Sequence, residues 1–256
     1  MIYLTMTQPH PGRDLYNSSL DEFIMKDFYA FALGELVELR PQDLAAYGLD
    51  DPALELRFTD PENETHLLFG DKTDDGMIYC KFAGKTPVFE AEYEYVKNFF
   101  GLNPLRIIDK FIIIENIDTC LGIDITAPGR SHKIVLEHYI IPDEDPEEEG
   151  EKVFDVTVDG QPVQELAFKT FYRYLIGLTY DTAVDEYTPE GEPEAVMTFN
   201  YTERGVVTAE YYAYNANFYA VKIDGLFTGL VTNKQALDNM LNSIPELLAG
   251  NMDRDY

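Results

Sequence analysis

The sequence predicts an α+β protein of two similar units, each an antiparallel β-meander of about four strands packed with helices on one face. Three observations predict it. Short runs of alternating apolar and polar residues, bounded by Gly, Pro, Asp or Asn, recur along the whole chain. Tyr (18) and Phe (16) supply all the aromatics, a composition that suits pleated surfaces. In both halves the elements follow one order: helix, meander, closing helix.

A chain of 256 residues can bury two cores, taken here as 1–105 and 106–256. Hydrophobic residues at 45% suit a folded protein. The formal charge of −28 repels phosphate backbones and anionic headgroups, so nucleic acid and a membrane surface are excluded as partners. The tightest apolar cluster, Phe111-Ile112-Ile113-Ile114, is strand-sized and far short of a membrane span. Cys80 and Cys120 lack the spacing and the company of a zinc site. They read as two buried thiols, with a single disulfide as the alternative.

In chain order, a short strand is expected over 2–6. Ser19 opens a helix, with Glu22 completing a capping box and Leu20, Phe23, Ile24, Phe28 and Phe31 on one face. A brief strand over 37–39 precedes a helical turn over 42–46, which Gly48 ends as a left-handed cap. Pro52 forces its predecessor into an extended form and launches a strand over 53–59. There Leu54, Leu56 and Phe58 point one way and Glu55 and Arg57 the other. Strands over 66–70, 77–82 and 88–90 complete the meander, and a helix over 91–100 closes it through Tyr93, Val96 and Phe100.

In the second unit a hairpin over 117–126 and 132–139 turns at Pro128-Gly129. The acidic run over 143–151 reads as a solvated loop. A strand over 154–158 and the turn Asp159-Gly160 lead to a helix over 163–176. Its stripe is Val163, Leu166, Ala167, Phe171, Tyr174 and Leu175. Strands over 195–202, 206–214, 218–223 and 227–231 follow. Asn233 caps a last helix that turns Leu237, Met240, Leu241 and Ile244 inward. Residues after Leu248 are expected to fray. Laid side by side, 53–58 falls opposite 195–199, and 87–89 opposite 228–231, so the halves read as an internal repeat of pattern.

The stretch Pro41-Gln42-Asp43-Leu44-Ala45-Ala46-Tyr47-Gly48-Leu49-Asp50-Asp51-Pro52-Ala53-Leu54, followed by Leu67-Leu68-Phe69-Gly70-Asp71-Lys72-Thr73-Asp74-Asp75-Gly76-Met77-Ile78-Tyr79, resembles the bacterial domain-of-unknown-function 4340 family. The close resemblance covers about residues 33–105, and the second half is similar in layout only. The resemblance implies an envelope protein whose domain faces outward from an N-terminal membrane anchor absent from this sequence. It also implies the company of ABC-type export systems and their gliding-type auxiliary subunits. It offers no catalytic residue to carry over.

Of the possible chemistries, Asp71, Thr73 and Asp75 with Gly76 mimic the opening of a calcium loop, but Phe82 stands where the bidentate acid belongs. Turn chemistry explains the same residues without a metal. His10, His66, His132 and His138 form no ligand motif, and no nucleophile elbow, P-loop or dinucleotide fingerprint occurs. No catalytic residue, metal or cofactor is expected. Tyr211, Tyr212, Tyr214 and Tyr219 are the candidate partner surface, if their rings form an exposed ladder for peptide or glycan; packing between sheet and helix is the commoner fate of such rings. The leading expectation is a non-enzymatic, extracytoplasmic accessory domain that binds a protein of an export system. The rivals are a glycan hydrolase with a carboxylate pair between the units, and a structural spacer.

Overall fold

A computed structural model describes residues 6, 9–15, 17–20, 22, 25–59, 62, 64–142, 150–184 and 186–252. The expected strand over 2–6 apart from Met6, the Ser19 hydroxyl, Phe23, Ile24, the acidic residues 143–149 and the tail 253–256 lie outside them. The protein is α+β, mostly antiparallel sheet with few helices. It divides into two compact units, one built on Asp14–Ile108 and one on Asp109–Tyr256 with the described part of Thr5–Arg13. No helix among the described residues is long and apolar enough to cross a membrane.

The first unit opens with two short helices, α1 (Asn17–Leu20) and α2 (Lys26–Phe28). Its sheet contains β1 (Leu36–Glu38), β2 (Leu54–Thr59), β3 (Glu64–Lys72), β4 (Met77–Phe82) and β5 (Val88–Glu92). The strand order is β1-β5-β4-β3-β2, antiparallel throughout. Strands β2 to β5 thus form a meander, and β1 pairs at the far edge from β2. The connection 39–53 must therefore cross a face of the sheet. Alternation sets the core: Leu67, Phe69, Ile78, Cys80 and Ala91 lie on one side, and Phe28, Phe31, Leu54 and Leu56 pack against them.

Two local expectations are corrected here. The helical turn expected over 42–46 is a single 3-10 turn, Ala45–Tyr47, closed by Gly48 at φ 63°. The closing helix expected over 91–100 does not form. Strand β5 continues to Glu92, and two 3-10 turns follow, Tyr93–Tyr95 and Lys97–Phe99. Val96 between them has φ −121°, outside the helical range. The spacing of Tyr93, Val96 and Phe100, three and then four, is that of an α-helix, but this aromatic-rich segment has little intrinsic helix preference.

The second unit contains β6 (Cys120–Ala127), β7 (Arg130–Ile141), β8 (Glu151–Val158), β9 (Gln161–Val163), α3 (Glu165–Ile176), β10 (Thr182–Ala183), β11 (Ala195–Tyr201), β12 (Gly205–Ala213), β13 (Phe218–Ile223), β14 (Leu226–Asn233), α4 (Lys234–Asn242) and α5 (Ile244–Ala249). Its sheet, in the described residues, has nine strands where three strands and then a meander of four are expected, in the order β10-β14-β13-β12-β11-β6-β7-β8-β9. Two consecutive runs, β6–β9 and β11–β14, fuse because β6 pairs antiparallel with β11. That pairing joins residues from 70 (Thr126 and Val196) to 81 (Cys120 and Tyr201) positions apart in sequence, which no local pattern records.

Two Asp-Gly hairpins in this sheet use one device. Asp159-Gly160 and Asp224-Gly225 both have positive φ, as a two-residue hairpin of this hand requires. Each aspartate then reaches sideways to the neighbouring strand. Asp159 donates its N–H to the Lys133 carbonyl and accepts the Lys133 N–H on Oδ1, both at 2.8 Å. Asp224 does the same with Thr208, at 2.9 and 2.8 Å.

Helix α3 begins at Glu165, and Val163 belongs to β9. Its buried stripe is Ala167, Phe168, Phe171, Tyr172 and Leu175, while Leu166 and Tyr174 are exposed. The face is rotated from the expected one because Phe168 and Tyr172 have large partners: Phe168 meets Phe154 of β8 edge-on at 6.1 Å, and the Tyr172 hydroxyl lies 3.4 Å from that of Tyr201. Asn233 caps α4, its Oδ1 accepting from Gln235 N at 2.8 Å, and Leu237, Met240, Leu241 and Ile244 are buried as expected. Pro245 in the first turn starts α5 as a separate helix.

Candidate functional site

The two sequence signatures of the first unit meet in space. The connection 39–53 presses its backbone onto β3 at Gly70, where an added Cβ would lie 2.1 Å from the Tyr47 carbonyl oxygen. A Cβ on Gly48 would lie 2.6 Å from Asp71 Oδ1. Strand β3 carries one extra residue at this point, since Phe69 pairs with Cys80 but Lys72 with Ile78. The Tyr47 hydroxyl donates to Glu38 Oε2 at 2.6 Å, which raises its pKa, and its ring meets Tyr79 edge-on at 5.0 Å. Tyr-Gly-Leu and Gly-Asp-Lys-Thr are thus the two sides of one crossing.

Asp71 belongs to the bulge, and Thr73 and Asp75 to the turn beyond it. The Thr73 hydroxyl donates to Asp75 Oδ1 and accepts from Met77 N at 3.1 Å. The bond from Thr73 holds the Asp75 carboxyl below its ordinary range. Gly76 turns the chain at φ 88°. These oxygens serve the hairpin, and among the described residues no three His, Cys, Asp or Glu side chains converge as a metal set.

The histidines are committed to the framework. His10 is buried and donates to the Thr228 carbonyl at 2.9 Å. His66 lies 3.0 Å from Glu55 Oε2, His132 2.8 Å from Asp159 Oδ2, and His138 donates to the Cys120 carbonyl at 2.6 Å. The Lys133 N–H, then His132, hold the Asp159 carboxyl below its usual range. A general acid needs the opposite shift. Cys80 and Cys120 are both free and buried, and burial pushes their thiols up to about 12 and about 11. A reactive thiol needs a depressed value.

The tyrosines of β12 and β13 do not form an exposed ladder. Tyr211, Tyr212 and Tyr219 are buried, and only Tyr214 is exposed, at 37%. Strand β12 is central, and both its faces are covered. Tyr211 lies on the face of Met197, its hydroxyl 3.9 Å from that sulfur. Tyr212 lies on the other face with Ala220 and Val231, covered by Val184, Tyr187, Phe218 and Phe227. Burial, then the bond to Glu194, raises Tyr219 to about 12.

Exposed apolar surface lies elsewhere. At the end of β7 three consecutive side chains face solvent: Tyr139 (46%), Ile140 (62%) and Ile141 (49%). Asp118, His138, Tyr139, Ile140 and Lys152 line a shallow pocket of about 300 Å³ there. The sequence contains the signal, since apolar-polar alternation breaks down at Tyr139-Ile140-Ile141.

Residues 17–169 match the family model described as Domain of unknown function (DUF4340). The chain belongs to this family. The DUF4340 match is wider than the motif-bearing stretch: it takes in the whole first sheet, β6–β9 and the start of α3, and ends before β10. Neither a curated protein nor a solved structure matches the chain.

Proposed function

We propose that this DUF4340 chain is a non-enzymatic, extracytoplasmic accessory domain that binds a protein partner beside an ABC-type export system, with a membrane anchor outside the sequence given. The exposed apolar end of β7, with Tyr139 and Ile141 on one face and Ile140 on the other, carries the reading. Consecutive exposed apolar residues on a chain of charge −28 favour a site that a partner covers. The imidazoles and thiols are tied into the framework, which supports binding over chemistry. The same reading takes β1–β5 and β10–β14 as two versions of one helix-covered meander, supported by their common strand order.

The test is capture from an envelope extract of the native host with the tagged chain, identified by mass spectrometry, alongside Ile140→Glu. Recovery of export-system subunits by the wild type and their loss with Ile140→Glu supports the reading. A capture that the variant leaves unchanged removes the patch from it, and a blank wild-type capture overturns it.

A further inference from the structure

Strand β2 ends the first sheet, and among the described residues no backbone group on its outer side bonds to it. Its counterpart by topology is β11. Each is the first strand of a four-strand meander whose last strand holds an earlier strand of the chain: β1 on β5, β10 on β14. The outer edge of β11 is occupied. Strand β6 lies on it antiparallel, from Thr126 against Val196 to Cys120 against Tyr201. The same position in the same topology therefore accepts an antiparallel strand.

The residues of β2 say which strand fits. Leu54 and Leu56 face the core, Phe58 on the same side is 37% exposed, and Glu55 and Arg57 face the other way. A second β2 laid antiparallel must keep like faces together, because a shift of one residue turns every side chain over. Centring the pair on Glu55 opposes Glu55 to Glu55, and centring it on Arg57 opposes Arg57 to Arg57. Centring it on Leu56 sets Glu55 against Arg57 twice and Leu54 against Phe58 twice. Opposite charges and aromatic-aliphatic pairs are the favourable cross-strand neighbours, and like charges the unfavourable ones. In the single chain Glu55 pairs with His66 at 3.0 Å and Arg57 with Glu64 at 3.7 Å, both across to β3 on exposed surface.

We infer that β2 is a self-association edge: two copies of the chain pair β2 to β2, antiparallel and centred on Leu56, into one continuous sheet. The high like charge of the two copies opposes this, so screening by salt strengthens the dimer.

Sedimentation equilibrium of the whole chain, in about 0.15 M salt where the screening length is short, tests it. The expected result is a monomer–dimer equilibrium across the micromolar range. Glu55→Arg and Arg57→Glu each weaken association by about tenfold or more, and the double exchange restores it. Both side chains are exposed, and circular dichroism checks that each variant is folded. Hydrogen exchange on the wild type gives a second readout, with β2 amides more protected at high protein concentration. A chain that stays monomeric overturns the inference and leaves the edge to a foreign strand. A dimer indifferent to either single reversal, or not rescued by the double, overturns it as well.

Discussion

In the first sheet the chain passes from β1 to β2 over the strands between them, and in the second it passes from β10 to β11 over β12, β13 and β14. The two crossings are held by different means. Residues 39–53 lie backbone against backbone on β3, a fit that requires Gly70 and is completed by Gly48. The described part of 184–194 is held by side chains. Tyr187 meets Tyr214 edge-on at 4.8 Å and Phe227 at 5.9 Å, and Lys222 Nζ donates to the Pro189 carbonyl at 3.2 Å. A backbone contact admits one residue type and leaves a short motif in the sequence. An aromatic contact accepts many arrangements and leaves none. The same topology is therefore loud in one half of the chain and silent in the other.

The comparison breaks most directly at Gly70. Gly70→Val should cost about 3 kcal/mol or more, because the new side chain meets backbone that cannot move aside. Urea unfolding followed separately for each unit should show the loss in the first. Tyr187→Ala, the matching lesion in the second crossing, should cost about 2 kcal/mol, since the half-buried ring leaves space that neighbours can fill. If the two lesions cost the same, the distinction between backbone and side-chain support fails.

Asp159→Ala and Asp224→Ala sharpen the second sheet's side of the comparison at about 1 kcal/mol each, by thermal melting. The Asp159 effect should depend on pH. Its folded pKa lies below the ordinary 3.8, so its contribution is complete above that value and is lost as pH falls through the folded one. The gap between wild type and Asp159→Ala should close in acid. Ile140→Glu should change stability least, within about 0.5 kcal/mol, because its side chain is exposed.

Local chemistry was legible wherever one residue decided it. Gly48 as a left-handed cap, Asn233 as a helix cap and Asp159-Gly160 as a tight turn are all found in the structure. Strand β13 has the expected bounds. The misses arose where a helical spacing lacked helix preference or where the deciding partner is distant. Tyr93, Val96 and Phe100 have α-helical spacing, yet their segment forms two 3-10 turns broken at Val96. The α3 stripe needed Phe154 and Tyr201 to choose its face. The tyrosines of β12 are buried by residues distant in sequence, such as Val184 and Tyr187 over Tyr212, which no local pattern around them records.

Each unit holds one free cysteine, Cys80 in β4 and Cys120 in β6, and each thiol is buried and hard to ionise. Neither can be alkylated until its own half of the chain opens. The protein therefore carries two natural reporters of local opening, one per half, at distinguishable peptide masses. Timed alkylation under native conditions would read the opening rate of each half from unmodified protein. It would also show whether a lesion such as Gly70→Val is felt beyond the half that contains it.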